Sequence, residues 1–221
     1  FSSRRRHTRL LTVTGVQTCA LPISLTILFD YLMHLHKPTL AQLPLVISAW
    51  QKIISETERN MSFQKQNLTR MQEDGEKYLA ALDGKIDGET LTLEDGSVVP
   101  RLPSITRYMW VDEKPVGSIS FRWQPGSNSL PLHVLGHIGY ETFPWAQRKG
   151  FATSALGQML DIVRNRSDIE LNYVELVTDP DNKNSQRVIE KNGGKFIEEF
   201  SKPATSDPSC QAKVFRFRIP L

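Results

Sequence analysis

The stretch Gln147-Arg148-Lys149-Gly150-Phe151-Ala152 separates two runs of different period. Before it lies His137-Ile138-Gly139-Tyr140-Glu141-Thr142-Phe143, strand-like and closed by Pro144. After it Ala152, Ala155, Leu156, Met159, Leu160 and Val163 recur at helical spacing, which predicts a helix over 151–164. A turn at such a junction aims several backbone N–H groups at one point, and the helix N-terminus adds about half a positive charge there. Gly150 lets a ligand approach the main chain closely, and Arg148 or Lys149 can meet a second phosphate. The arrangement suits a diphosphate.

Working outward, the downstream half keeps this rhythm. A strand is expected at 171–178 and a helix at 183–191, stopped by Asn192-Gly193-Gly194, with strands at 195–200 and 213–219. Upstream, strands at 105–111 and 116–123 flank Asp112-Glu113-Lys114-Pro115, a hairpin signal. In the second of these Ile119, Phe121 and Trp123 share one face, and Ser118, Ser120 and Arg122 share the other. The Gly/Ser/Pro-rich segment 124–132 reads as a loop. Nearer the N-terminus the pattern predicts a first strand within 25–36, a helix at 43–54 and one surface helix at 62–82. A loop or short hairpin follows within 83–104. A strand at 134–143 followed by a helix and the strand at 171–178 implies a parallel pair with a right-handed crossover. Together with the hairpins this gives an α/β (α+β) fold. Its sheet is mixed and mostly antiparallel, with a central parallel pair and helices on both faces.

A chain of 221 residues, 39% hydrophobic and 23% charged, is neither disordered nor membrane-spanning by composition. Its net charge of +3 has a local source, because residues 1–24 hold Arg4, Arg5, Arg6 and Arg9 and no acid. Without those four, 23 basic residues face 24 acidic ones and the balance is −1, which argues against a nucleic-acid partner. A nucleic-acid-binding module built on the Arg4–Arg9 cluster is the rival reading of that charge. The arginines followed by apolar residues also look like a secretory signal, but Gln17, Thr18 and Ser24 interrupt the run. The run from Val13 to Ile23 resembles the conceptual translation of a sequencing adapter, which implies a leader at 1–24 that is artefactual or disordered. The folded domain is then 25–221, with Cys210 as its one cysteine, in keeping with a reducing cytoplasm.

Two motifs resemble the GNAT superfamily of acyl-CoA-dependent N-acetyltransferases, in a poorly characterised bacterial branch. Gln147, Gly150 and Ala152 match that family's diphosphate loop. Asn182 and Ser185, after the next strand, match its second motif, and Ile189 to Phe196 looks like its helix-to-strand junction. The resemblance covers 105–221 and implies acetyl-CoA as co-substrate, bound where the two parallel strands splay apart. Main-chain groups near Thr142 and Phe143 would pair with the pantetheine arm. N–H groups of Arg148, Lys149, Gly150, Phe151 and Ala152 would hold the diphosphate beside Gln147. Asn182, which also suits a helix N-cap, would contact the cofactor beyond the second strand.

Direct acetyl transfer to a primary amine is the activity this resemblance implies. The acceptor would be a small molecule or peptide, and the enzyme a cytoplasmic monomer or homodimer without metal, membrane or nucleic-acid partner. A non-catalytic acyl-CoA-binding or sensing protein of the same fold is the alternative. A general base would make the amine nucleophilic, and strand alternation puts His137, Gly139 and Glu141 on one face, His137 being the first candidate and Glu141 the second. Where the family often carries an acid Tyr, this chain has Ile189, so either Ser185 or water protonates the thiolate or no acid is needed. Arg122 and Trp123 beside the 124–132 loop are candidates for shaping an acceptor pocket, against the plainer reading of an exposed charge and a core aromatic. His34 and His36 have no Cys or acid cluster near them in sequence, so no metal site is expected.

Overall fold

In the computed structural model these patterns become nine strands and five helices among the described residues, which are 33–57, 61–84, 90–92, 96–202 and 212–221. In chain order they are β1 (His34–His36), α1 (Leu43–Ser55), α2 (Ser62–Glu73), α3 (Gly75–Ala81), β2 (Thr90–Thr92), β3 (Val98–Pro100), β4 (Ser104–Val111) and β5 (Lys114–Arg122). Then come β6 (Ile138–Thr142), a 3₁₀ turn (Pro144–Ala146), α4 (Phe151–Arg164), β7 (Tyr173–Thr178), α5 (Lys183–Lys191), β8 (Lys195–Ser201) and β9 (Lys213–Pro220). The leader at 1–24, with its arginine cluster, and Cys210 lie outside the described residues.

Three local departures from expectation have physical causes. The hairpin between β4 and β5 turns on two residues rather than four: Asp112 (φ 47) and Glu113 (φ 60) are both left-handed, and Val111 pairs with Lys114. Such a turn matches the twist of the strands it joins. The single helix expected at 62–82 is two. Asp74 leaves helical geometry at φ −152 and its carboxylate accepts the Lys77 N–H at 2.9 Å, capping α3. The strand expected from 134 begins only at Ile138.

Strand order is β1-β4-β5-β6 in one sheet and β7-β9-β8 in another, with β2-β3 a separate hairpin. Every ladder among the described strands is antiparallel. The pair expected to be parallel at the centre, β6 and β7, is joined by one backbone bond, His137 N–H to Glu175 C=O at 2.7 Å. Beyond it no ladder forms, and the strands part.

Two cores clamp the first sheet. Ile105, Ile119 and Phe121 pack with Leu156, Met159 and Leu160 of α4. On the opposite face Tyr108, Trp110 and Phe143 pack with Val46 and Trp50 of α1 and Leu79 of α3. Burying each large side chain contributes about 1.5–3 kcal/mol. The alternation expected in β5 holds: Ile119 and Phe121 are buried with Trp123, leaving Ser118, Ser120 and Arg122 to the other face. Tyr108 carries the polar centre of the second core, with the Tyr78 hydroxyl at 2.9 Å and the Trp50 indole N–H at 3.4 Å.

Candidate active site

The glycine turn leaves a run of backbone amides without main-chain partners among the described residues. Arg148 (φ 63) and Gly150 (φ 83) are both left-handed, so the backbone between β6 and α4 curls on itself. Among the described residues the amides of 148–152 have no main-chain acceptor, while the next two, Thr153 and Ser154, bond to Gly150 C=O. Consecutive unpaired N–H groups in such a curl, at the start of a 14-residue helix, form a positive concavity. A Cβ at 150 would meet nothing within 4 Å, so the space above this glycine is open. Phe151 is buried and anchors the helix, while Gln147, Arg148 and Lys149 are exposed and Ala152 is half-buried. Gln147 Nε2 donates to Thr142 C=O at 3.4 Å, tying the turn to the strand.

Pairing parity decides which main-chain groups of β6 remain for a ligand. Arg122 N–H bonds to His137 C=O, and Phe143 N–H bonds to Val116 C=O at 2.9 Å. By alternation 139 and 141 also face β5, and the groups of Ile138, Tyr140 and Thr142 point toward β7. Thr142 therefore remains a candidate for pairing with an extended ligand. Phe143 does not, because its C=O also accepts from Ala146 N–H, and both its main-chain groups are occupied.

The parting of β6 and β7 leaves a cavity of about 510 Å³, walled by Ile138 and Tyr140 on one side and by Leu176, Thr178, Asn182 and Ser185 on the other. Under α1–α3, on the other face of the first sheet, lies a second cavity of about 260 Å³, with Ser118, Ser120 and Glu141 among its walls. Arg122, Gly139 and Tyr140 line both. The two spaces thus meet across β6 at Gly139–Tyr140.

Three titratable or polar groups expected from sequence fall in different places. Glu141 faces the smaller cavity, opposite Ser118. Ser185 lines the larger one, where its Oγ lies 2.7 Å from the Tyr140 hydroxyl. Burial pushes the Tyr140 phenol above its usual range, partly offset by that hydrogen bond. Asn182 caps α5, its Oδ1 accepting the Ser185 N–H at 3.0 Å, while it also lines the larger cavity. Ile189, the residue in place of a family Tyr, is buried beside them.

His137 is a correction. It is 0% exposed, its Nδ1 accepts the Glu175 N–H at 3.0 Å, and its ring packs edge-on against Tyr173. Burial holds its pKa near 4, against partial opposition from the Glu175 carboxylate. An enclosed imidazole already accepting a main-chain hydrogen bond cannot take a proton from an amine in a cavity it does not line. It stays neutral at physiological pH and ties β6 to β7. The unfolded chain binds this proton at its usual value near 6.5, so the stabilisation is present above pH 6.5 and is lost as pH falls toward 4. We expect denaturant titrations to show a decline of about 3 kcal/mol across that window, absent in His137→Gln.

Tyr140, Arg70 and Arg101 are the site residues that sequence reasoning missed. The signal for Tyr140 was its parity with Ile138, which puts its side chain on the α4-side face of β6, where its hydroxyl meets Ser185. Nothing local marks the arginines, which reach the cavity from α2 and from the segment before β4. Trp123, a pocket candidate, is a core residue stacked on Phe121 at 5.3 Å, whereas Arg122 does line both cavities. Among the described residues no cluster of three His, Cys, Asp or Glu could hold a metal ion, and no helix is long and apolar enough to cross a membrane.

Residues 46–195 match the acetyltransferase (GNAT) domain family. Among solved structures, the ribosomal L7/L12 alpha-N-protein acetyltransferase RimL, in complex with coenzyme A, is 12% identical. That match covers 86% of this chain and 94% of that one, with a TM-score of 0.57. Mycobacterium smegmatis RimJ, in complex with a CoA disulfide, is 14% identical over 85% of this chain and 81% of its own, with a TM-score of 0.56. The microcin C7 self-immunity acetyltransferase MccE, with acetyl-CoA and AMP, is 15% identical over 86% and 92%, with a TM-score of 0.52. At such identities these three carry the fold alone. No protein of curated function matches the sequence significantly. The domain match spans more than half of the chain and agrees with the fold and both sequence motifs: the protein belongs to the GNAT acetyltransferase family and is an acyltransferase.

Proposed function

We propose that this protein transfers the acetyl group of acetyl-CoA directly to a primary amine, with the cofactor in the larger cavity and the amine in the smaller. The meeting of the two cavities at Gly139–Tyr140, on the strand that leads into the glycine turn with its unpaired amides, is the observation that carries this reading. Acetyl-CoA, when bound, supplies the activated acyl group. The amides of residues 148–152 fit a diphosphate, and the outward main-chain groups of Tyr140 and Thr142 fit the amide-bearing pantetheine arm. Asn182 and Ser185 border the same space.

The chain's own work is then positioning and proton management. Alignment of two reactants supplies on the order of 7–11 kcal/mol of the barrier reduction. A lysine-like amine with pKa near 10.4 is neutral only about once in a few thousand molecules at pH 7. Glu141, in the acceptor-side cavity, takes the amine proton directly or through water, in the role first expected of His137. As nitrogen attacks, the carbon–sulfur bond breaks and the thiolate needs a proton. The Tyr140 phenol, held protonated at neutral pH by burial, donates it and is restored through Ser185.

The test is release of free thiol from acetyl-CoA in the presence of an amine panel. Amine-dependent release is the expected result. Coenzyme binding without release on any amine favours the non-catalytic acyl-CoA-binding protein of the same fold.

A further inference from the structure

The smaller cavity is lined by three arginines, Arg70, Arg101 and Arg122, and one carboxylate, Glu141. Arg70 and Arg122, neither of them in an ion pair among the described residues, disfavour a polyamine or a lysine chain there, since like charges repel strongly in a partly enclosed space.

Arg122 is the most informative of these residues. It ends β5 half-buried, and its Nη2 donates to Ser120 Oγ at 3.2 Å. Among the described residues it makes no ion pair. Gly139 leaves room for it: a Cβ there would lie 3.4 Å from Nη2. Arg70, on α2 across the cavity, likewise has no carboxylate partner among the described residues. A guanidinium withdrawn from water without a counter-charge destabilises the fold, and burial lowers the pKa of this one. Such a group is kept where it meets an anion that arrives with a ligand. The cofactor does not bring that anion here. Its phosphates belong at the 148–152 cradle, and its thioester, the part due at Gly139–Tyr140, is uncharged.

We infer that the acceptor amine carries an anionic group, a carboxylate or a phosphate, which Arg122 and Arg70 bind while the amine faces Gly139–Tyr140; this rests on the acetyl-transfer reading above. The cavity of about 260 Å³ limits the bound part to amino-acid size. The guanidinium fork suits either anion, because both accept paired hydrogen bonds.

Matched pairs test this with the full chain: β-alanine against its amide, and phosphoethanolamine against ethanolamine, at saturating acetyl-CoA with free thiol as readout. The acid member of at least one pair should show kcat/KM about tenfold or more above its neutral partner, and the better pair identifies the anion. Arg70→Met and Arg122→Met should each lower the acid member by about 10–100-fold and the neutral member by less than about threefold. Equal rates within both pairs, or preference for a diamine, overturn the inference and leave acetyl transfer standing. Equal loss on both members in Arg122→Met also overturns it, since it places Arg122 on the oxyanion formed during transfer. Calorimetry of each pair on the coenzyme-saturated chain reads recognition without turnover, and equal affinities again overturn it. Failure of coenzyme A to bind is a separate result that removes the acetyl-transfer reading itself.

Discussion

Tyr140→Phe is expected to lower kcat by about 10²-fold or more at neutral pH, with KM for acetyl-CoA changed less than about threefold. Tyr140 lines both cavities, and its hydroxyl lies 2.7 Å from Ser185 Oγ and 3.2 Å from Ser185 C=O. Its phenol is pushed above the usual range, so it holds its proton through the physiological window and can release it to a forming thiolate. The ring is part of the α4-side core, and Phe keeps that packing. The stability loss should therefore be that of one hydrogen bond, about 1 kcal/mol. This separates chemistry from folding: a large fall in kcat with a nearly unchanged melting temperature is the expected pattern. Ser185→Ala should give a smaller loss in kcat, because the phenol remains. If acetyl thioester donors with a less basic leaving thiol recover rate in Tyr140→Phe, the proton is the missing element. Unchanged kcat would leave thiolate protonation to water.

Gly150→Glu is expected to weaken coenzyme A binding by about 10²–10³-fold, measured by calorimetry. Three effects act in one direction. The residue has φ 83, where a side chain costs roughly 1–2 kcal/mol. The new side chain enters the open space above the turn, where a Cβ meets no protein atom. Its carboxylate then competes with the diphosphate for the amides of 148–152 and repels it. Because the space is open, the variant has no packing clash and should fold. Gly150→Ala keeps only the backbone strain and a small bulk, so it should bind with intermediate affinity. A salt series adds a check, since repulsion by the carboxylate is screened at high ionic strength while bulk is not.

Much of this architecture was legible in sequence where the chain signals locally. The 3.6-residue period of Ala152 to Val163 and the Gly193-Gly194 stop gave α4 and α5 their observed extents. The alternation of Ser118, Ser120 and Arg122 gave the polar face of β5. What failed was non-local. A period-2 reading placed His137 beside Gly139 and Glu141, yet its N–H bonds to Glu175 on β7 while its C=O bonds to Arg122 N–H on β5. The chain twists there, and the imidazole goes into the interior. Phe143 failed for a related reason: hydrogen-bond parity in an antiparallel pair depends on register, and the β5–β6 register is set by packing, because a long segment and not a tight turn joins these strands. The arginines of the smaller cavity come together only because α2 and the segment before β4 cover β5. No spacing in the chain encodes that meeting.

We propose that one strand, β6, separates a cofactor space from an acceptor space and joins them at Gly139–Tyr140. A crystal structure of the chain with coenzyme A is the decisive experiment. The diphosphate is expected on the amides of residues 148–152, the pantetheine arm between β6 and β7, and the thiol beside the Tyr140 hydroxyl. Coenzyme A lying under α1–α3, or bound with its thiol directed away from Tyr140, would contradict it.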